Sequence, residues 1–201
     1  MKSLIAGLAS YRNAIISLSV SAIIFMLLVI AAGPKGVWEL WNVPAMAPHF
    51  ADLRTITGGA ESYSQGLDPM VQNPGDPWGR TMNYPRIWQS LFYIGLDEGD
   101  TTAFGLIIIA LFLVGVVLIL PNANFQTIVL VLTAVFSPAT LLGIERGNID
   151  LLIFFLVAIS AIFVTHNRFL SFLFLLSAFF LKLYPVFGFG VFLRESKSVV
   201  V

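Results

Sequence analysis

The chain has 201 residues, of which 58% are hydrophobic and 11% are charged. A typical soluble domain carries about 25% charged residues, so this composition excludes an ordinary soluble fold and indicates an integral membrane protein. Eleven basic and eleven acidic residues balance without any basic run, so no nucleic-acid partner is expected, and the absence of cysteine excludes disulfides and thiol catalysis.

The first apolar block covers residues 14–32, a run of 19 positions without a charge. A membrane helix needs about 20 apolar residues, whereas the apolar core of a signal peptide is usually about 7–15 residues long. We therefore predict an uncleaved anchor helix. Lys2 and Arg12 precede this block, and basic residues favour the cytoplasmic side, so the N-terminus is predicted to lie inside.

A long polar loop is predicted for residues 33–100, outside the cytoplasmic membrane. It has four basic and eight acidic residues and holds all four tryptophans of the chain, Trp38, Trp41, Trp78 and Trp88. Tryptophan prefers the membrane–water interface, so we expect the loop to lie on the bilayer surface with short interfacial helices around 50–64 and 85–95. Loops of this length are usually functional.

Further apolar segments follow the loop. We predict membrane helices at about 101–120, 125–143 and 148–165. Pro138 should bend the second of these helices. The stretch 169–193 is apolar apart from Lys182, and it is either one kinked helix or two segments that meet at 182–185. The prediction is one all-α, polytopic membrane domain.

Alternation of the helices across the bilayer brings three polar elements to one side. The turn 145–150 returns to the outside after two crossings, and Lys182 lies near the outer face if 169–181 rises again. These two elements and the loop 33–100 would then meet outside the membrane. This convergence is the main functional prediction from topology.

Asp52 is the candidate general base, because a partly desolvated carboxylate at a lipid–water boundary can accept a proton from a reacting group. The alternative is a solvated loop residue or the N-terminal cap of a short helix.

The turn 145–150 has two interpretations. Asn148 could cap the following helix, Asp150 would favour its positive N-terminus, and Arg146 could pair with Asp150 four positions on. Alternatively, an exposed helix N-terminus beside Arg146 is a ready anion site. Both interpretations stay open at the level of sequence.

Lys182 interrupts the last apolar stretch. A lysine at the middle of a membrane helix costs about 2.5–3.5 kcal/mol, so such residues usually face a cavity and serve a function. The alternatives are a lysine at a helix end whose ammonium group reaches the interface, and a structural partner of Asp150 or Glu145.

The order of these motifs resembles glycosyltransferase family 87, the polyprenyl-phosphate-mannose-dependent α-mannosyltransferases with the GT-C fold. The matching residues are Asp52, Gly66-Leu67-Asp68-Pro69, Tyr84-Pro85, Glu145-Arg146-Gly147-Asn148 and Lys182-Leu183-Tyr184-Pro185. The resemblance covers nearly the whole chain but only the N-terminal half of such an enzyme. We therefore expect a fragment of a longer glycosyltransferase, with further acceptor-binding residues in the missing half.

The resemblance implies inverting transfer of a mannosyl or similar hexosyl group from a polyprenyl phosphate to a glycolipid or glycan outside the plasma membrane. Asp52 would deprotonate the acceptor, and Lys182 and Arg146 would neutralise the charge that develops on the leaving phosphate. Additional candidate residues of the substrate site are Glu145, Asn148, Tyr84, Arg80 and Tyr184. No metal or cofactor is implied, because fixed cations can serve the phosphate.

Two other classes of function remain open. A transporter or channel would also place Lys182 and Arg146 in a cavity, although the first three predicted helices are almost wholly apolar, which favours a surface site over a pore. A non-catalytic membrane partner subunit would be supported if Asp52 proved replaceable.

Overall fold

The computed structural model of the chain describes residues 9–194, and every regular element in this range is helical. The α-helices are α1 (Arg12–Leu40), α2 (Ala51–Ser64), α3 (Thr101–Leu118), α4 (Phe125–Val135), α5 (Pro138–Arg146), α6 (Asp150–Phe163), α7 (Arg168–Leu181) and α8 (Gly190–Arg194). Short 3-10 helices lie at Arg86–Ile94, Glu98–Asp100 and Tyr184–Phe189. The prediction of an all-α chain is confirmed for this part of the sequence.

Two helices in the described range are long and apolar enough to cross a membrane. They are α1 and the segment Glu98–Leu118, in which a 3-10 turn continues into α3. A third candidate is the pair α4 and α5, which meets the same criteria together but is bent by 53°. Ser137 caps α5 with its hydroxyl and Pro138 begins that helix, so the predicted bend is a complete break. These helices are consistent with a membrane protein.

The last two apolar segments are shorter than predicted. Helices α6 and α7 have 14 residues each, so each is about 21 Å long, against about 30 Å for the hydrocarbon core of a bilayer. The stretch 169–193 is broken at Lys182, which has extended backbone angles, and a separate 3-10 helix with Pro185 near its start follows at Tyr184–Phe189. Only two or three elements within residues 9–194 therefore reach membrane length.

Helix α1 extends beyond the predicted boundary at residue 32 and includes the start of the predicted loop. It kinks at Gly33, whose φ of +73° is disfavoured for residues with a side chain, and Pro34 follows. Only 11% of its most apolar window is buried. The Trp41 indole anchors its far end by donating to the Phe136 carbonyl at 3.0 Å. Most of the apolar surface of α1 is thus exposed, which is consistent with a membrane helix.

The protein core forms where α6 packs between α3 and α7. Ile108 and Val116 of α3, Ile153 of α6 and Ala178 of α7 are all buried there. Helix α2 packs on the 3-10 helix Arg86–Ile94 and also contacts α3 and α5. Most residues of α2 are buried, so this helix is a core element of the protein.

The closest backbone approach in this region joins α2 to the loop at Gly58 and Gly75. A Cβ atom on Gly58 would lie 2.3 Å from the Gly75 carbonyl oxygen, a distance that requires the backbone to move. We expect Gly58→Ala to destabilise the protein by about 1–3 kcal/mol, the usual cost of overpacking, and to lower its melting temperature in detergent. The matched control is Gly190→Ala, because a Cβ there meets no atom within 4 Å. Equal melting temperatures for the two variants would contradict this contact.

Candidate functional site

Asp52 lies in the first turn of α2, two residues after Phe50, whose backbone is left-handed. Its Oδ2 accepts a hydrogen bond of 2.9 Å from Asn148 Nδ2, and its Oδ1 has no hydrogen-bond partner within residues 9–194. The cap residue of α2 is Phe50, so Asp52 is not the predicted cap, although its charge favours the helix N-terminus. One carboxylate oxygen is therefore held in place and the other is free.

Gly147 allows the turn 145–150 to approach α2. Its φ is +61°, and a Cβ atom would lie about 3.0 Å from Phe50 Cβ and 3.1 Å from Leu53 Cβ. The Phe50 amide also donates to the Glu145 carbonyl at 3.1 Å. Glycine at this position thus permits the contact that brings Asp52 beside Asn148.

Asn148 joins the two elements through both ends of its amide. Its Oδ1 accepts from the Asp150 backbone N–H at 2.9 Å, while Nδ2 donates to Asp52. The N-cap residue of α6 is Ile149, so Asn148 is not the predicted cap. A side chain held at both ends has little freedom to rotate. Asn148 consequently fixes the orientation of the Asp52 carboxylate.

Arg146 pairs with its neighbour Glu145 and not with Asp150. The guanidinium Nε lies 2.9 Å from Glu145 Oε2, an ion-pair distance without the alignment of a hydrogen bond. Arg146 Nη2 donates to the Pro44 carbonyl at 2.9 Å. The Glu145 side chain accepts from the Met46 amide at 2.7 Å, and Glu145 is only 3% exposed. Arg146 and Glu145 together hold the loop segment that follows α1 against the end of α5.

Lys182 lies just after the end of α7, outside any continuous helix. Its ammonium group donates to Asp150 Oδ1 at 2.7 Å, and the Tyr184 hydroxyl donates to the same oxygen at 3.1 Å. The rings of Tyr84 and Tyr184 lie 5.9 and 5.8 Å from the ammonium nitrogen, within the range of cation–π attraction. Lys182 thus has the structural partner Asp150. The free-energy cost of placing this charge here is lower than that of a lysine within a membrane helix.

Asp52 borders two cavities. The larger, about 460 Å³, lies between α3, α5 and α6, and its polar border includes Asp52, Arg146, Asn148 and Asp150. Apolar residues such as Phe112 and Leu142 form much of the rest of its wall. Lys182 does not border this cavity, so the two predicted phosphate-binding cations do not line it together. Asp150 borders the larger cavity and pairs with Lys182, which does not.

The smaller cavity, about 280 Å³, lies between α2 and the loop. Asp52 and Asn148 border it as well, together with Arg80 and Tyr84. Burial raises the pKa of the Tyr84 hydroxyl, and the carboxylates of Asp52 and Asp150 raise it further. The hydroxyl therefore stays protonated at neutral pH and can donate a hydrogen bond.

Two further aspartates of the loop form ion pairs with arginines. Asp68, from the Gly-x-Asp-Pro motif, forms an ion pair of 2.8 Å with Arg86 and borders neither cavity. Asp76 was not a candidate from sequence, yet it is buried and organises the loop by pairing with Arg80 at 2.8 Å. The turn signal Pro-Gly-Asp-Pro around Asp76 indicated an ordered turn, but nothing in the sequence indicated its burial.

No protein-family model matches the chain, and comparisons with curated proteins and with solved structures give no significant match. The resemblance to glycosyltransferase family 87 therefore rests on the short sequence motifs. The geometry adds that residues from three of these motifs, including Asp52, Asn148 and Lys182, form one connected polar cluster.

Proposed function

We propose that the chain belongs to a membrane glycosyltransferase that transfers a mannosyl or similar hexosyl group from a polyprenyl phosphate to a hydroxyl of a glycolipid or glycan. The observation that carries this proposal is the position of Asp52, which has one free carboxylate oxygen and borders two cavities, one of them also bordered by Arg146. A base between two binding spaces suits a reaction of two substrates.

In the proposed reaction, Asp52 Oδ1 takes the proton of the acceptor hydroxyl while the hydroxyl oxygen attacks the anomeric carbon of the donor sugar. The bond from the anomeric carbon to the phosphate oxygen breaks, and its electron pair leaves with the lipid phosphate. A single displacement inverts the anomeric configuration. Arg146 stabilises the charge that develops on the phosphate. Lys182 adds a second positive charge if it exchanges Asp150 for the phosphate.

The larger cavity suits a lipid-linked phosphate because it combines a polar border with an apolar wall. The apolar wall comes from α3, α5 and α6, and two of these helices belong to candidate membrane spans. A prenyl chain could therefore leave the cavity toward lipid while its phosphate stays near Arg146. This arrangement favours a lipid phosphate over a soluble sugar nucleotide.

We also propose that the chain is a multi-pass protein of the plasma membrane, with its N-terminus inside and the loop after α1 outside. The basic N-terminus and the loop of eight acidic and four basic residues support this orientation. The site would then face the side where lipid-linked sugars are donated to extracytoplasmic acceptors.

The orientation can be tested with single cysteines, since the natural chain has none. Gln72→Cys should react with a membrane-impermeant thiol reagent in intact cells, because it lies in the outer loop. Asn124→Cys, at the start of α4, should react only after the cells are opened. The opposite labelling pattern would contradict the orientation and would separate the site from an external acceptor.

The direct test of the activity is a transfer assay in vesicles. The enzyme that contains this chain is reconstituted with polyprenyl-phosphate mannose, labelled in the sugar, and with extracted membrane glycolipids. We expect label to move to the glycolipid fraction with inverted configuration and without added metal. Vesicles in which the donor binds but no hexose is transferred to any acceptor would contradict the proposal.

A further inference from the structure

The smaller cavity has free hydrogen-bonding groups on its border. Within residues 9–194, no side-chain hydrogen bond engages the Thr81 hydroxyl, the Asn83 amide or the Tyr84 hydroxyl, and all three groups border this cavity. Thr81 and Asn83 are exposed, so these groups are accessible to a ligand. Together they offer both donors and acceptors beside the free oxygen of Asp52.

Among residues 9–194, Arg80 is the only cationic residue that borders this cavity, and its charge is offset by an ion pair with Asp76. Arg80 Nη2 lies 2.8 Å from Asp76 Oδ2, Nε lies 3.2 Å from Asp76 Oδ1, and the guanidinium group also donates to the Ala51 carbonyl. Its remaining face stacks on Trp78, with the guanidinium carbon 4.6 Å from the ring centre. Arg80 is therefore held in place as a wall of the cavity, and Asp76 offsets its charge, although its Nη1 group has no hydrogen-bond partner in the described part of the chain.

The charge that is left unpaired on the border of this cavity is negative. With Arg80 paired to Asp76, the charge that remains on the border is the carboxylate of Asp52. A phosphate or carboxylate placed here would be repelled by Asp52, whereas a hydroxyl group would donate to it. The cavity thus favours a neutral ligand that carries several hydroxyl groups.

The size of the cavity limits that ligand to a small one. Its volume of about 280 Å³ lies at the lower end of the range of ligand pockets, which is about 300–1,000 Å³. A space of this size suits one sugar ring, while longer glycans would extend into solvent past the exposed residues Thr81 and Asn83.

We infer that the smaller cavity is the binding site for a single neutral hexose unit of the acceptor, with one hydroxyl directed at Asp52 Oδ1 and others held by Thr81, Asn83 and Tyr84. This inference rests on the proposed glycosyltransferase function and specifies the acceptor: the terminal ring is an uncharged hexose, not a phosphorylated or acidic sugar.

The test measures binding of methyl α-mannopyranoside to the purified protein in detergent by saturation-transfer NMR. Mannose 6-phosphate serves as the anionic comparison ligand. We expect the neutral sugar to bind more tightly than the phosphorylated one. The double variant Thr81→Val/Asn83→Ala should bind it roughly tenfold more weakly, since each net hydrogen bond contributes a few-fold in affinity. Thr133→Val, an exposed threonine on α4, is the matched control and should bind normally.

Three results would overturn the inference: tighter binding of mannose 6-phosphate, binding that is unchanged in the double variant, or no binding of the neutral sugar to protein with a normal melting temperature. None of these depends on transfer. If label still moves from the lipid donor in an Asp52-dependent reaction, the proposed function stands and only the assignment of the smaller cavity fails.

Discussion

Asp52→Asn should slow transfer from a polyprenyl-phosphate sugar by about 100-fold or more, the lower end of the loss usually seen when a general base is removed. The amide keeps the size of the side chain, and its oxygen can still accept the hydrogen bond from Asn148. It cannot take a proton from the acceptor. The variant should therefore bind the donor and fold normally but turn over slowly, which initial rates at saturating donor would measure.

Asp68→Asn is the matched control for this variant. Asp68 is also a loop aspartate of a shared motif, but it pairs with Arg86 at an exposed position and borders neither cavity. Its replacement should change the rate by no more than a few-fold, because exposed ion pairs contribute little. Near-normal turnover of Asp52→Asn would leave Asp52 as a structural residue of the first turn of α2, as expected for a non-catalytic partner subunit.

Lys182→Met should weaken binding of a polyprenyl phosphate by about tenfold or more, because a hydrogen bond to a charged group contributes about 1.5–3 kcal/mol. Its effect on stability should be small. The side chains of Lys182 and Asp150 are 29% and 49% exposed, and partly exposed pairs contribute about 1 kcal/mol or less. Donor affinity and melting temperature measured on the same preparation separate these two effects.

Asp150→Asn should act in the opposite direction on donor affinity. Asp150 borders the larger cavity and occupies the Lys182 ammonium group, so its neutralisation removes a repulsive charge and frees the lysine. Lys35→Met removes a lysine that is largely exposed and should leave both measurements unchanged. A lowered melting temperature with unchanged affinity in Lys182→Met would show a purely structural ion pair.

Part of the fold was accessible from local sequence. The break near Pro138 follows from the geometry of proline, which acts on its immediate neighbours. Helix lengths were less accessible. Helix α7 begins at the side-chain cap of Asn167 and ends at the extended Lys182, whereas the apolar composition continues past Lys182. The burial of α2 was not predicted, because its own sequence is largely polar and its cover comes from other elements of the fold.

The candidate site was predicted as a set of residues but not as a set of contacts. The turn 145–150 offered Arg146 an acidic partner on either side, and only the fold selected Glu145. Likewise, Lys182 had phosphate, Asp150 and Glu145 as possible partners, and the structure joins it to Asp150. Asp76 and the free groups of the smaller cavity gave no signal in sequence, because burial and the absence of a partner are properties of the folded chain.

Composition and local pattern were enough to determine an all-helical, strongly apolar chain with one long polar loop, since hydrophobic runs, charges and prolines act over a few residues. The tertiary structure alone decided how the polar residues meet. Asp52 and Asn148 are 96 positions apart, and Asp150 and Lys182 are 32 apart. Such contacts depend on the path of the backbone between them, including the close approach of Gly147 to α2, which allows Asp52 to lie beside Asn148.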